Sequence, residues 1–151
     1  MHVQTQFSIF LVNKPGVLAG VVAALAKAKI NVLALTLMDS MEHGVLRIIC
    51  DQTEKARGVL GKSHDRWTET DVLVLELENQ PGAFAAITQR LAEQHINISY
   101  AYCTGGARGG RTTAVFKVAD MKKARRVLAA GKKVRKSVRR TVKTPQGKHG
   151  L

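Results

Sequence analysis

The stretch Asn13-Lys14-Pro15-Gly16-Val17-Leu18 decides how this chain is read, because it returns 66 residues later as Asn79-Gln80-Pro81-Gly82-Ala83-Phe84. Each copy follows a strand-like run and precedes an amphipathic pattern, so each is predicted to be a helix entrance. Proline suits the first helical position, where its missing N–H would have no intrahelical partner and its φ is already helical. The glycine after it would let another group approach the backbone. Several N–H groups at such an entrance lack intrahelical partners, and the helix dipole adds partial positive charge, so a carboxylate is favoured there. The asparagine two residues before the proline offers both a donor and an acceptor. A small zwitterion would suit that combination.

A repeat at nearly half of 151 residues argues for two small modules, 1–69 and 70–140, followed by a tail at 141–151. A module of about 60 residues buries only ~60% of the surface its unfolded chain exposes, so the halves are expected to pack together. No run of about 18 apolar residues occurs, and Met1-His2-Val3 leads straight into a strand, which predicts a soluble, cytoplasmic protein with no membrane span. Cys50 and Cys103 lie in apolar runs and are expected to be buried, reduced thiols. The net charge of +13 is concentrated at one end: residues 1–120 carry 12 Lys and Arg against 11 acids, and residues 121–151 carry the other 12 basic residues and no acid. The body is therefore close to neutral and the end strongly basic.

From Val3 to Val12, Phe7, Ile9 and Leu11 alternate with Gln6, Ser8 and Phe10, the period of a half-buried strand. Val17, Leu18, Val21, Val22 and Leu25 then recur at helical spacing up to about Lys27 to Lys29. A strand from Asn31 to Ser40, a turn at Met41-Glu42-His43-Gly44 and a strand from Val45 to Cys50 form a predicted hairpin. A short helix from Glu54 to Leu60, closed by Gly61, leads to a last strand that begins near Arg66 and runs on toward the second copy. The second half repeats the order: strand Val72–Leu77, helix Pro81–Gln94, strands Asn97–Thr104 and Arg111–Val118, and a helix capped by Asp120. Ile96-Asn97-Ile98 mirrors Ile30-Asn31-Val32 at the same offset, but after the glycine loop Gly105–Gly110 the offset becomes 68, so the second copy has gained two residues there. Lys132–Val138 is expected to supply the final strand.

Two β-α-β-β-α-β units, each with Asn-x-Pro-Gly before its first helix and Ile-Asn-Val/Ile after it, resemble a tandem of ACT domains over about residues 3–138. The resemblance implies an α+β fold of two ferredoxin-like βαββαβ modules packed together, and a regulatory, amino-acid-binding role in which ligands sit where two ACT domains meet. Carried over by position, it implies ligand-binding residues Asn13, Gly16, Val17, Leu18 and Asn31 in one half and Asn79, Gly82, Ala83, Phe84 and Asn97 in the other. Helix N–H groups would take an α-carboxylate, and asparagine oxygens with strand carbonyls the ammonium. Val17-Leu18 against Ala83-Phe84 suggests pockets of different shape, with Phe84 filling its own. Because ACT sheets often pair edge to edge, at least a homodimer is expected.

Other functions find less support. His2, His43, His64, His95 and His149 are scattered, with no short-spaced ligand pair, no phosphate loop and no dinucleotide fingerprint, so neither an enzyme nor a cofactor or metal is predicted. RNA-recognition modules share the strand and helix order but stack bases on central-strand aromatics; Val45–Cys50 has none and Thr112–Val118 only Phe116. Tyr100 and Tyr102 share one strand face and read as core or interface. The basic residues from Lys132 to Lys148 leave a nucleic-acid partner open without favouring it. The chain is also similar to regulatory subunits of acetohydroxyacid synthase, which implies an amino-acid biosynthetic enzyme as an alternative partner.

Overall fold

The computed structural model describes residues 1–38, 43–63, 66–106 and 109–130. Strand β1 (His2–Val12) runs to the first entrance, followed by α1 (Val17–Lys27), β2 (Val32–Met38), β3 (His43–Cys50), α2 (Thr53–Ser63) and β4 (Trp67–Glu78). The second half continues with α3 (Ala83–Glu93), β5 (Ile98–Cys103), β6 (Arg111–Val118) and a helix, α4, over residues 121–130, whose start is capped by Asp120 Oδ1 accepting the Lys123 N–H at 2.8 Å. The fold is thus α+β, with the β-α-β-β-α order of each half as expected. The predicted turn residues 41 and 42, the strand at Lys132–Val138 and the basic tail lie outside the described residues.

Among the described residues six strands form one sheet in the order β2-β3-β1-β4-β6-β5, each pairing antiparallel. The halves are joined by β1 against β4, in a register that places Thr5 opposite Asp71. Those two residues are also related by the 66-residue offset, so a pseudo-twofold axis passes between them. Strand β4 serves both halves: Trp67 to Val74 pair with β1 and Leu73 to Glu78 with β6. The expected module boundary at residues 69 and 70 therefore falls inside one continuous strand.

Both helical layers cover the same face. Phe7, Ile9 and Leu11 of β1 pack with Val21, Leu25 and Leu60 in one core, while Leu73 and Leu75 of β4 pack with Leu91, Phe116 and Leu128 in another. The α2 helix extends through Gly61 to Ser63, so Gly61 does not end it. On the opposite face Gln6 and Ser8 are also buried, beside a third cluster of Ala34, Ile49, Val72, Val74 and Val115. Tyr102, on the edge strand β5, packs against that cluster and reaches Gln6. The twisted sheet curls until its margin covers its own centre, which explains why the alternation of β1 does not leave its polar side exposed.

The two helix entrances

The two entrances are built alike at the backbone. The Lys14 carbonyl accepts the Val17 N–H at 3.4 Å, and the Gln80 carbonyl accepts that of Ala83 at 3.3 Å. Gly16 has φ 87° and ψ −15°, and Gly82 has φ 85° and ψ −14°. These are type II turns with proline at the second position and glycine at the third, where a positive φ is required. The prolines therefore precede the helices instead of opening them. The glycines serve conformation, not close approach, because a Cβ added at either would meet nothing within 4 Å. Neither helix start has a side-chain cap or an acid in its first turn. Among the described residues, the N–H groups of Leu18 and Ala19, and of Phe84 and Ala85, have no acceptor, since the first helical bonds are Gly20 to Gly16 and Ala86 to Gly82.

Beyond the backbone the two mouths diverge. The first opens into a cavity of about 230 Å³ lined by Leu11, Val12, Asn13, Lys14, Val17, Leu18, Leu37, Met38 and Gly44. Gly44 keeps it open: a Cβ there would stand 3.2 Å from the Met38 carbonyl oxygen and 3.4 Å from Leu37 Cδ1. Among the described residues the Asn13 side chain makes no hydrogen bond, and the Lys14 ammonium supplies a positive charge at the rim. Every lining residue belongs to the first half, so the junction between modules of one chain does not form this cavity.

At the second mouth larger side chains stand at two of the counterpart positions. Phe84 stacks on Phe116 with ring centroids 5.1 Å apart. Thr112 stands where the repeat places Gly44, and its hydroxyl donates to the Thr104 carbonyl. Asn79 donates from Nδ2 to the Gly106 carbonyl at 2.7 Å, while its backbone bonds Gly110 and Gly109, so the enlarged glycine loop holds it. Gln80, Pro81, Gly82 and Ala83 of this mouth line a larger cavity of about 700 Å³, together with Leu77, Glu78, Arg90 and Arg111 and without Asn79, Phe84 or Asn97.

Asn31 and Asn97 sit at the far ends of their helices. Each follows a residue pair that closes the helix through a left-handed turn: Lys29 (φ 56°) then Ile30, and His95 (φ 53°) then Ile96. The Ile30 N–H donates to the Leu25 carbonyl at 3.0 Å and that of Ile96 to Leu91 at 2.9 Å, the Schellman arrangement. The Asn31 carbonyl accepts from the Asp51 N–H at 3.1 Å and the Asn97 carbonyl from Ala119 at 3.0 Å. Each carbonyl thus accepts one hydrogen bond just beyond the strand ends and keeps a second lone pair. With 11 residues in α1, roughly 16 Å separate its two ends. Of the first set of candidates, the structure gathers Asn13, Val17 and Leu18 but leaves Gly16 and Asn31 outside the cavity lining. Lys14, Leu37, Met38 and Gly44 were missed; the contrasts Lys14 against Gln80 and Gly44 against Thr112 were the available signal.

The thiols have the opposite character to nucleophiles. Burial, with a smaller contribution from the Asp51 charge, pushes the Cys50 thiol up to about 11, and burial also raises Cys103. Cys103 is nevertheless exposed, because it ends the edge strand β5 on its uncovered side. Among the described residues no cluster of three His, Cys, Asp or Glu could hold a metal ion, and no helix is long and apolar enough to cross a membrane.

Two βαββα units that share one sheet, each entered by the same turn, are matched by the family described as an ACT domain pair over residues 1–137. The chain belongs to the ACT family. A crystal structure of a protein from Bacteroides thetaiotaomicron is similar to this ACT domain pair at 34% identity, covering 86% of this chain and 89% of that one, with a TM-score of 0.79. The ligand-free regulatory subunit of aspartate kinase from Thermus thermophilus shares the fold at 17% identity and TM-score 0.61, covering 86% and 97% of the two chains. The corresponding subunit from Thermus flavus does so at 18% identity and TM-score 0.55, covering 85% and 95%. No curated protein shows significant similarity to the chain. The two entrances of this ACT domain pair are the features on which a ligand assignment turns.

Proposed function

We propose that this ACT domain pair is a non-catalytic regulator that binds a small amino acid at its first helix entrance, where a second copy of the chain completes the site. The observation that carries the reading is the contrast between mouths: the first cavity holds an unengaged asparagine, a lysine and spare helix N–H donors, whereas at the second Asn79 is bound to its own glycine loop and Phe84 and Thr112 stand where the first has Leu18 and Gly44. The donors suit the α-carboxylate, the Asn13 amide suits the ammonium, and Leu11, Val17, Leu18 and Leu37 suit an apolar side chain. At about 230 Å³ the space is below the ~300–1,000 Å³ of drug-sized ligands, which favours a single small metabolite.

The second copy is supported by β2. Among the described residues this strand pairs only with β3; it carries no charge or proline, and it exposes Leu33 (39%) at a register irregularity and Leu35 (36%) and Leu37 (47%) beyond it. Such an edge is a template for another strand. Two β2 strands paired antiparallel about Leu35 would set Leu33 against the partner's Leu37, a self-complementary row suited to a twofold interface. The same pairing would bring the partner's Asn31 to the Met38 end of the strand, beside the cavity. The homologous positions on β5 are Ser99, Ala101 and Cys103, which offer little apolar surface.

A signal to a metabolic enzyme would follow as a population shift if the ligand prefers one arrangement of the pair. The face available for such a partner is marked by Phe10, Val12 and Met38, all exposed, where the repeat has Glu76, Glu78 and Thr104. Titration calorimetry with the twenty amino acids, together with light scattering, tests the reading. One amino acid bound per chain of a dimer is expected. A species of only 16.4 kDa with no amino-acid heat would reject it.

A further inference from the structure

The outer helix of the second half carries charge that its repeat partner does not. Ala124 and Leu128 turn α4 into the second core, and Lys122, Arg125 and Arg126 stand exposed away from it. Lys123 reaches across to α3, where its ammonium donates to the Gln94 carbonyl at 2.7 Å. Arg90 of α3 donates to the Val127 carbonyl in the other direction. Arg90, Lys123 and Arg126 thus line one groove of about 580 Å³ between the two helices, with Glu93 at its side.

In the first half the equivalent helix is neutralised. The Arg57 guanidinium forks onto the Glu69 carboxylate, with Nη2 donating to Oε2 at 2.8 Å, and it also pairs with Glu54. At the 68-residue offset Arg57 becomes Arg125, Glu54 becomes Lys122, Gly58 becomes Arg126 and Glu69 becomes Ser137. Among the described residues no carboxylate pairs with Lys122, Lys123, Arg125 or Arg126. The sequence then continues through residues 131–151 with eight more basic residues and no acid, and residues 121–151 contain no Phe, Tyr or Trp.

We propose that the exposed face of α4, with Lys122, Arg125, Arg126 and the groove beside them, docks the phosphate backbone of a duplex nucleic acid without reading its sequence. Phosphate contacts made by point charges release counterions and need no apolar anchor. Other polyanionic partners fit this face less well. A protein interface centres on buried aromatic or apolar anchors, a membrane-surface helix inserts Trp, Phe or Leu, and single strands are held by aromatic stacking. The large apolar residues of α4 are committed to the core, and its exposed face offers only Ala129 and Ala130 besides the cations. The inference uses no residue of the first entrance, so it stands or falls independently of the amino-acid site.

Fluorescence anisotropy of the full chain with two DNA duplexes of unrelated sequence, over a series of salt concentrations, tests it. Both duplexes should bind with matching affinity, and log Kd should rise with log salt by about 0.9 per phosphate neutralised. Lys122→Gln/Arg125→Gln/Arg126→Gln retains the basic residues beyond 130, yet it should lower that slope by about 2–3 and weaken binding roughly tenfold at about 100 mM salt. Lys55→Gln/Lys62→Gln on α2 should bind like the unaltered chain, and so should Arg125→Lys/Arg126→Lys, because point charges suffice. Should the triple variant not fold, Lys122→Gln/Arg125→Gln replaces it, with a slope lowered by about 1–2. No binding by the unaltered chain at low salt, an unaltered slope in the glutamine variant of α4, or tighter binding to phosphatidylserine vesicles or polyglutamate than to duplex would overturn the proposal.

Discussion

The two entrances share a backbone to within a few degrees and differ in almost everything that fills them. Gly16 and Gly82 hold the same left-handed turn, but Leu18 and Gly44 leave room where Phe84 and Thr112 take it away. The comparison teaches that the repeated Asn-x-Pro-Gly motif specifies a way into a helix and not a binding site. The site depends on what the neighbouring hairpin brings to that turn. In the first half it brings a glycine at the start of β3. In the second, a threonine replaces that glycine and the enlarged loop binds Asn79.

The largest expected effect separates the cores beneath the two mouths. Phe116→Ala should destabilise by about 3–5 kcal/mol, and more than its repeat counterpart Ile48→Ala, because it removes a buried ring and also unstacks Phe84. Equal losses in urea unfolding would mean the stack contributes nothing. Next, Gly16→Ala and Gly82→Ala should each cost about 1 kcal/mol and by equal amounts, since both force a Cβ into positive φ in otherwise open space. Unequal losses would show that the turns are less alike than their angles. Smallest, Lys29→Gly and His95→Gly should each stabilise by roughly 0.5 kcal/mol, read as a small rise in Tm, because glycine suits the left-handed helix ends without side-chain strain. A loss of stability at either position would imply that the side chain there makes a compensating contact.

Much of this architecture was legible in the sequence because it is periodic. The alternation in β1, the helical spacing after each Pro-Gly, and the constant offset between copies located the elements within a few residues. Arg111–Val118 emerged with the predicted ends. Capping chemistry read from local residues was less dependable. Gly61 lies inside α2, where packing of Ala56 and Leu60 carries the helix past it. The prolines belong to turns whose geometry depends on a glycine angle that the sequence only hints at. The buried inner face was illegible for a different reason. Gln6 looks solvent-facing until the sheet curls and brings Tyr100 and Tyr102, 94 and 96 residues away in the chain, onto it. Of the candidate site, the entrance residues were readable from the motif, whereas Leu37, Met38 and Gly44 enter only because β2 and β3 end beside α1.

The most direct test of ligand binding at the first mouth and not at Asn79 is a thermal-shift titration of four proteins against the twenty amino acids: the unaltered chain, Asn13→Ala, Gly44→Val and Asn79→Ala. The predicted result is that at least one amino acid raises the Tm of the unaltered chain, that Asn13→Ala weakens the shift and Gly44→Val abolishes it, and that Asn79→Ala keeps it. A shift lost with Asn79→Ala yet retained with Gly44→Val would contradict the account.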